Sequence, residues 1–220
     1  MDLASELPLS LESSSSWDDY ALILVDVQND FWSEEVASDA PWFLDGTESL
    51  LRACRDLGIE IVHIHARFQA DTSDWIARYR LRGRIPCVAG TEGAEPLPVA
   101  VPKAGERTLV KQSFDAFLGT GLDELLRSTG KRFVLVAGLV TSTCVLLTAA
   151  TATQLGYLVA LVEDCCADRQ PFHDRVLNTY RFMFGTTRSD RLCQDRPEWE
   201  GQLRRLAQSQ ALDEPRTLPT

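Results

Sequence analysis

The chain has little of what several protein classes require. Among its 220 residues are only three histidines and six cysteines. No two cysteines form a C-x-x-C pair, so a structural zinc site is not expected. No uninterrupted apolar run approaches the roughly 18–20 residues that a membrane-spanning helix needs. Basic charge is also short: 22 Lys and Arg stand against 32 Asp and Glu, a formal net charge of −10. Phosphate binding relies on Lys and Arg, so neither nucleic acid nor an anionic membrane surface is an expected partner. The segment 78–84, RYRLRGR, is a local exception with four arginines, read as a solvated face or a lid anchor. The opening MDLASELPLSLESSSSWDDY has no basic stretch followed by an apolar one, so no secretory signal is expected. The chain is also too long and too apolar to be a disulfide-stapled mini-domain. Its thiols are therefore expected to be reduced, in the cytoplasm.

What is present reads as a globular domain. Apolar residues make up 45% and charged residues 25%, enough to exclude disorder as the main state and to fill a sizeable core. One large domain is expected over residues 18–210, between flexible tails at 1–17 and 211–220. Short apolar runs recur: ALILVDV (21–27), IEIVHIHA (59–66), RTLVK (107–111), RFVLVAG (132–138) and GYLVALVED (156–164). Each has the continuous apolar character of a strand buried on both faces. A sixth strand is expected near 183–188. Helical spacing appears over 47–58, where Leu50, Leu51, Cys54 and Leu57 precede Gly58, a natural end residue. Further helices are expected over 120–130, 142–155, 171–183 and 197–208, the last with Pro197 in its first turn. Strands alternating with helices imply an α/β fold: a three-layer αβα sandwich around a six-stranded, mostly parallel, Rossmann-like sheet. Residues 67–106 show little periodicity and read as a long loop of functional character.

Open parallel sheets place their sites just beyond the carboxyl ends of the strands. Asp26 stands at the end of the first predicted strand, in VDVQNDF. Lys111 ends the third, in LVKQSFDAF, and Cys144 follows the fourth, in AGLVTSTCV. Singly, each has an ordinary explanation: a loop cap, a solvated lysine, a small core residue. Together they offer an acid, an ammonium and a thiol. A thiol near a helix N-terminus and a lysine is expected to have its thiolate favoured. A carboxylate beside it can accept the thiol proton and hand it to a leaving group.

The segments ALILVDVQNDF, GTEGAEPLP, LVKQSFDAFLGTGLDELL and VAGLVTSTCVLLTAATATQLGYLVALVEDCCAD resemble the cysteine hydrolases of the isochorismatase-like superfamily. The likeness keeps order and spacing over residues 20 to 190. It implies a catalytic triad of Asp26, Lys111 and Cys144, and a non-proline cis peptide just before Val140. The backbone N–H groups of Val140 and Cys144 would then face the developing oxyanion. The reaction implied is acyl transfer through a thioester on Cys144, with an amide, ureido or carbamoyl compound as substrate. The resemblance also implies a homodimer or homotetramer.

Departures from the family pattern narrow this reading. Nicotinamidases carry an Asp-x-His pattern after the second strand to bind a metal, whereas this chain has Ala66 and Phe68 there. No metal and no other cofactor are therefore expected. His63 and His65 alternate on one strand; a structural pair is favoured over a metal site. Isochorismatases lack the nucleophilic cysteine, so Cys144 speaks against vinyl-ether hydrolysis, which stays the alternative alongside a non-catalytic scaffold. Where the family commonly has Arg-Asp in the helix after the cysteine, Ala150 and Thr151 stand here. Candidate substrate contacts are Arg67 and Gln69 after the second strand, with Phe31, Trp32 and Phe114 as apolar walls. An arginine suits a carboxylate or ureido group, and a salt bridge to an acidic loop residue is the equal alternative for Arg67. A redox role for the adjacent Cys165 and Cys166 is not favoured.

Overall fold

A computed structural model describes residues 16–213. Six strands form the sheet: β1 (Tyr20–Val25), β2 (Glu60–Ala66), β3 (Arg107–Lys111), β4 (Phe133–Leu139), β5 (Leu158–Ala167) and β6 (Gly185–Thr187). Their order is β3-β2-β1-β4-β5-β6 and every pairing is parallel. Seven α-helices connect or follow them: α1 (Glu34–Asp39), α2 (Phe43–Leu57), α3 (Ala77–Arg82), α4 (Leu122–Ser128), α5 (Leu146–Gln154), α6 (Phe172–Thr179) and α7 (Leu192–Asp213). No helix among the described residues is long and apolar enough to cross a membrane.

The strands are apolar throughout because both sheet faces are covered. On β1, Tyr20, Leu22 and Leu24 meet the layer of α2 and α7, with Phe43, Leu50, Leu51, Trp199 and Leu203. Ala21, Ile23 and Val25 point the other way, toward Leu122 and Leu126 of α4 and Ala149 and Ala152 of α5. Period-2 alternation thus sorts one run of apolar residues into two cores. Gly58 caps α2 with φ +73°, a left-handed conformation that glycine adopts without penalty. Gly138 in β4 is required on other grounds: its φ is +126°, and a Cβ there would overlap the carbonyl oxygen of Val25 on β1.

The expected architecture is present, with corrections. The predicted long loop contains α3 and two short 3-10 turns, Glu92–Ala94 and Pro98–Ala100. Its neck is closed by a bridge between Phe68 and Val88. The helix expected to open at Pro197 begins five residues earlier, at Leu192, so Pro197 lies inside it. Pro197 lacks the N–H that would reach back to Cys193, so the helix forgoes one backbone hydrogen bond there. Residues 142–155 open with a π-helical turn, Thr141–Val145, before α5 proper. The expected tails fall mostly outside the described residues. Within them, Trp17 is buried against Tyr20 and under Arg196, and α7 runs on through 211–213.

Candidate active site

The strand order reverses direction between β1 and β4, the topological switch point where α/β sheets leave a crevice. Asp26 is the first residue past β1, with φ +50°, and its N–H donates to Ile64 O at 2.8 Å. Cys144 enters from β4 on the π-helical turn. The peptide bond between Leu139 and Val140, at the head of that turn, is cis. Lys111 comes from β3, two strands from β1. Strands lie about 4.8 Å apart, so only a long stem can pass the end of β2 and reach Asp26. Ala66, paired with Lys111 in the ladder, offers the small side chain that lets it through.

The three side chains converge. Lys111 Nζ stands 2.7 Å from Asp26 Oδ2 and donates to Cys144 Sγ at 3.5 Å. It also donates to the carbonyls of Ser113 (2.7 Å) and Phe114 (3.2 Å). Asp26 Oδ1 accepts the Ala66 N–H at 3.0 Å. All three are buried: Asp26 is 0%, Lys111 1% and Cys144 4% exposed.

Burial decides the resting charge. It pushes the Asp26 carboxyl up, against the pull of the Lys111 ammonium. For Lys111, burial works against the charged form, but Asp26 and Cys144 outweigh it and the pKa rises. Burial and the neighbouring carboxylate push the Cys144 thiol well above its ordinary range. These directions favour a neutral thiol and a charged lysine. That corrects the expectation of a favoured thiolate: the lysine's charge is already spent on Asp26, and desolvation exceeds what a helix terminus supplies.

The other predicted contacts separate. Phe31 lines a cleft of about 370 Å³ together with Val140, Ser142, Thr143, Arg169 and Phe172. Trp32 instead stacks on Phe43, ring centroids 5.0 Å apart, as part of the α2 layer. Phe114 accepts from Lys111 through its carbonyl, and its ring stands 5.9 Å from that of Tyr79. Gln69 is exposed and uses its backbone to hold Asp74 and Trp75. Arg67 does not line the cleft; it sits beside His65 and helps burial hold that imidazole down to about 4. His63 bonds Glu106 at 2.8 Å, and the same carboxylate takes Arg55 at 2.7 Å. This places His63 in a polar network beneath α2. Among the described residues no three His, Cys, Asp or Glu side chains group as a metal site would require.

Several residues were not anticipated. Tyr79, on α3, lies edge-on to Phe68 and Phe114; burial raises its pKa, and the charges of Cys144, Lys111 and Asp26 all reach it. Gln28 is fully buried, donating to Ala66 O and Ala94 O and accepting the Ala66 N–H. A glutamine directly after an apolar strand was its one visible signal. Arg169 pairs with Glu35 at 3.5 Å on the cleft's rim, both more than half exposed.

Asp26, Lys111 and Cys144 thus meet, buried, at the switch point of a doubly wound α/β sheet. The isochorismatase domain model matches residues 20–190; the chain belongs to the isochorismatase family of hydrolases. It is 31% identical over 156 residues to the maleamate amidohydrolase of Pseudomonas putida, covering 68% of this chain and 72% of that protein. An isochorismatase family protein from Desulfovibrio vulgaris superimposes with a TM-score of 0.74 at 34% identity, covering 80% of this chain and 97% of that one. The N-carbamoylsarcosine amidase of Thermoplasma acidophilum gives 0.68 at 27% identity, covering 78% and 97%.

Proposed function

We propose that the protein is a cysteine amidohydrolase that cleaves the C–N bond of a small carboxamide, ureido or carbamoyl compound. The observation that carries this reading is the position of Lys111 Nζ, 2.7 Å from Asp26 and 3.5 Å from Cys144. Asp26 takes the thiol proton as Sγ attacks the substrate carbonyl. The oxyanion is received by the N–H groups of Val140 and Cys144, an interaction worth roughly 3–4 kcal/mol per donor. Asp26 returns the proton to the departing nitrogen, so ammonia or an amine leaves and a thioester remains. Water, deprotonated by Asp26, then hydrolyses the thioester to the acid and restores the thiol. Lys111 keeps Asp26 ionised and offsets the negative charge that develops on sulfur.

The cleft beside Val140 supports a substrate with an anionic end. Arg169 on its rim lies over the Phe172 ring and pairs with Glu35, an exposed partner that a substrate carboxylate can displace. A relative named for maleamate, an amide that also carries a carboxylate, agrees with this class. The six thiols are all unpaired, in keeping with work in a reducing cytoplasm, and we read the active form as a homodimer or homotetramer.

The test is ammonia release from a panel of small amides, ureas and carbamates, maleamate included. Wild type is expected to turn over at least one acidic amide, and Cys144→Ala to abolish that turnover while keeping the wild-type melting temperature. Undiminished turnover by Cys144→Ala would falsify the assignment. Pyruvate release from a vinyl ether, without ammonia, would replace it.

A further inference from the structure

We propose that Asp168, with His173, is a positioning residue that holds the turn carrying Cys144 in its acyl-transfer geometry. This inference rests on the amidohydrolase reading above. Asp168 lies in the strap that joins β5 to α6, His173 is the second residue of α6, and neither takes part in the chemistry written there.

The turn Thr141–Val145 follows directly on Val140, and the strap and the first turn of α6 grip it at two successive residues. Asp168 Oδ2 accepts the Ser142 N–H at 2.8 Å. His173 Nδ1 lies 2.9 Å from Thr141 Oγ1. The strap is itself fixed: Asp168 Oδ1 accepts the Arg169 N–H at 2.8 Å, and Asp39 of α1 accepts the Gln170 N–H at 2.9 Å. Asp168 is 4% and His173 5% exposed, so water does not compete freely for these bonds.

A π-helical turn needs such external partners. Its hydrogen-bond ring is wider than that of an α-helix and such turns occur mostly as single turns at functional sites. The N–H of Ser142 lies in the first turn, where no intrahelical acceptor exists. A buried carboxylate there satisfies the donor and fixes the path of the backbone between Val140 and Cys144. Those two residues bracket the grip and supply both oxyanion donors. Movement of the turn by about 1 Å is enough to cost on the order of a hundredfold in rate. The carboxylate is better suited than an amide, because both of its oxygens accept. An asparagine keeps one acceptor and turns an NH2 group toward the other N–H.

The experiment compares two reactions of the same sulfur. Alkylation by iodoacetamide is a direct displacement at carbon and forms no oxyanion. Acylation by p-nitrophenyl acetate passes through a tetrahedral oxyanion and releases p-nitrophenolate. Both rates are measured at Cys144 by mass spectrometry of the peptide that contains it. For Asp168→Asn, acylation is expected to fall about a hundredfold, with alkylation within twofold of wild type. Thr141→Val, which removes the hydroxyl that meets His173 and leaves Asp168 in place, provides the same comparison if Asp168→Asn does not fold; a smaller loss confined to acylation is expected. Equal acylation by variants and wild type overturns the inference. So does an equal fall in both reactions, which would mean that the strap supports the fold or the thiol rather than the oxyanion geometry. Wild type that is alkylated but not acylated overturns the amidohydrolase reading instead.

Discussion

The Asp26–Lys111 pair allows a quantitative test that does not depend on knowing a substrate. At 2.7 Å, and with an effective dielectric constant of about 20, the Coulomb attraction is about 6 kcal/mol. Desolvation of two ions with 0% and 1% exposure consumes much of that gain, so the net worth of the pair is modest. Breaking it is another matter. Lys111→Met leaves a carboxylate in a dry site and strips the carbonyls of Ser113 and Phe114 of their donor. The expected loss of stability is about 3–5 kcal/mol. Asp26→Asn keeps an oxygen for the Ala66 N–H but strands the ammonium. The double variant removes both charges together, so the singles overstate its cost, and a coupling of about 2–3 kcal/mol is expected from a double-mutant cycle. Urea unfolding of the four proteins at pH 7, read by tryptophan fluorescence, gives each free energy. Strictly additive losses, with coupling below about 0.5 kcal/mol, would refute the claim that the two groups are an ion pair in a closed, low-dielectric site.

Two further outcomes follow from other parts of the molecule. Burial lowers the pKa of all three histidines, and that of His65 to about 4, with His63 and Arg67 adding to the effect. A folded-state pKa below the unfolded 6.5 means that the folded chain binds fewer protons. His65 therefore contributes stability that is fully present above pH 6.5 and is lost as pH falls toward about 4. NMR titration should find every imidazole below 6.5, and His65→Gln should flatten the stability profile between pH 6.5 and 4; a His65 that titrates at or above 6.5 contradicts this. Gly138→Ala forces a methyl group against the Val25 carbonyl at a left-handed position. A loss of about 3 kcal/mol or more is expected in urea unfolding, and a variant as stable as wild type would show that β1 and β4 are not so closely apposed.

The sequence by itself determined the sheet and the identity of the candidate side chains at its carboxyl edge. Runs such as ALILV and FVLVAGL are apolar on successive residues because helices cover both faces, and that pattern is visible without any partner in view. Asp26, Lys111 and Cys144 interrupt or end those runs, and a polar group at such a place stands out. Element boundaries were less legible. Pro197 suggested a helix start, but α7 begins at Leu192, which is buried in the same core as Trp199 and Leu203. The segment 67–106 concealed α3, a single short helix with no buried residue to give it a hydrophobic period.

Only the tertiary structure decided how the centre is held and charged. Neighbours distant in the chain fix those properties: Lys111 bonds Cys144 33 residues later, and Asp168 bonds a residue 26 positions earlier. Hydrogen bonds from buried polar groups leave no periodic trace, so in the sequence Asp168 looks like an ordinary loop residue and His173 like an ordinary helix residue. The protonation of Cys144 likewise depends on desolvation, which is a property of the closed fold and not of any segment. Composition and spacing chose the atoms; burial chose their charges.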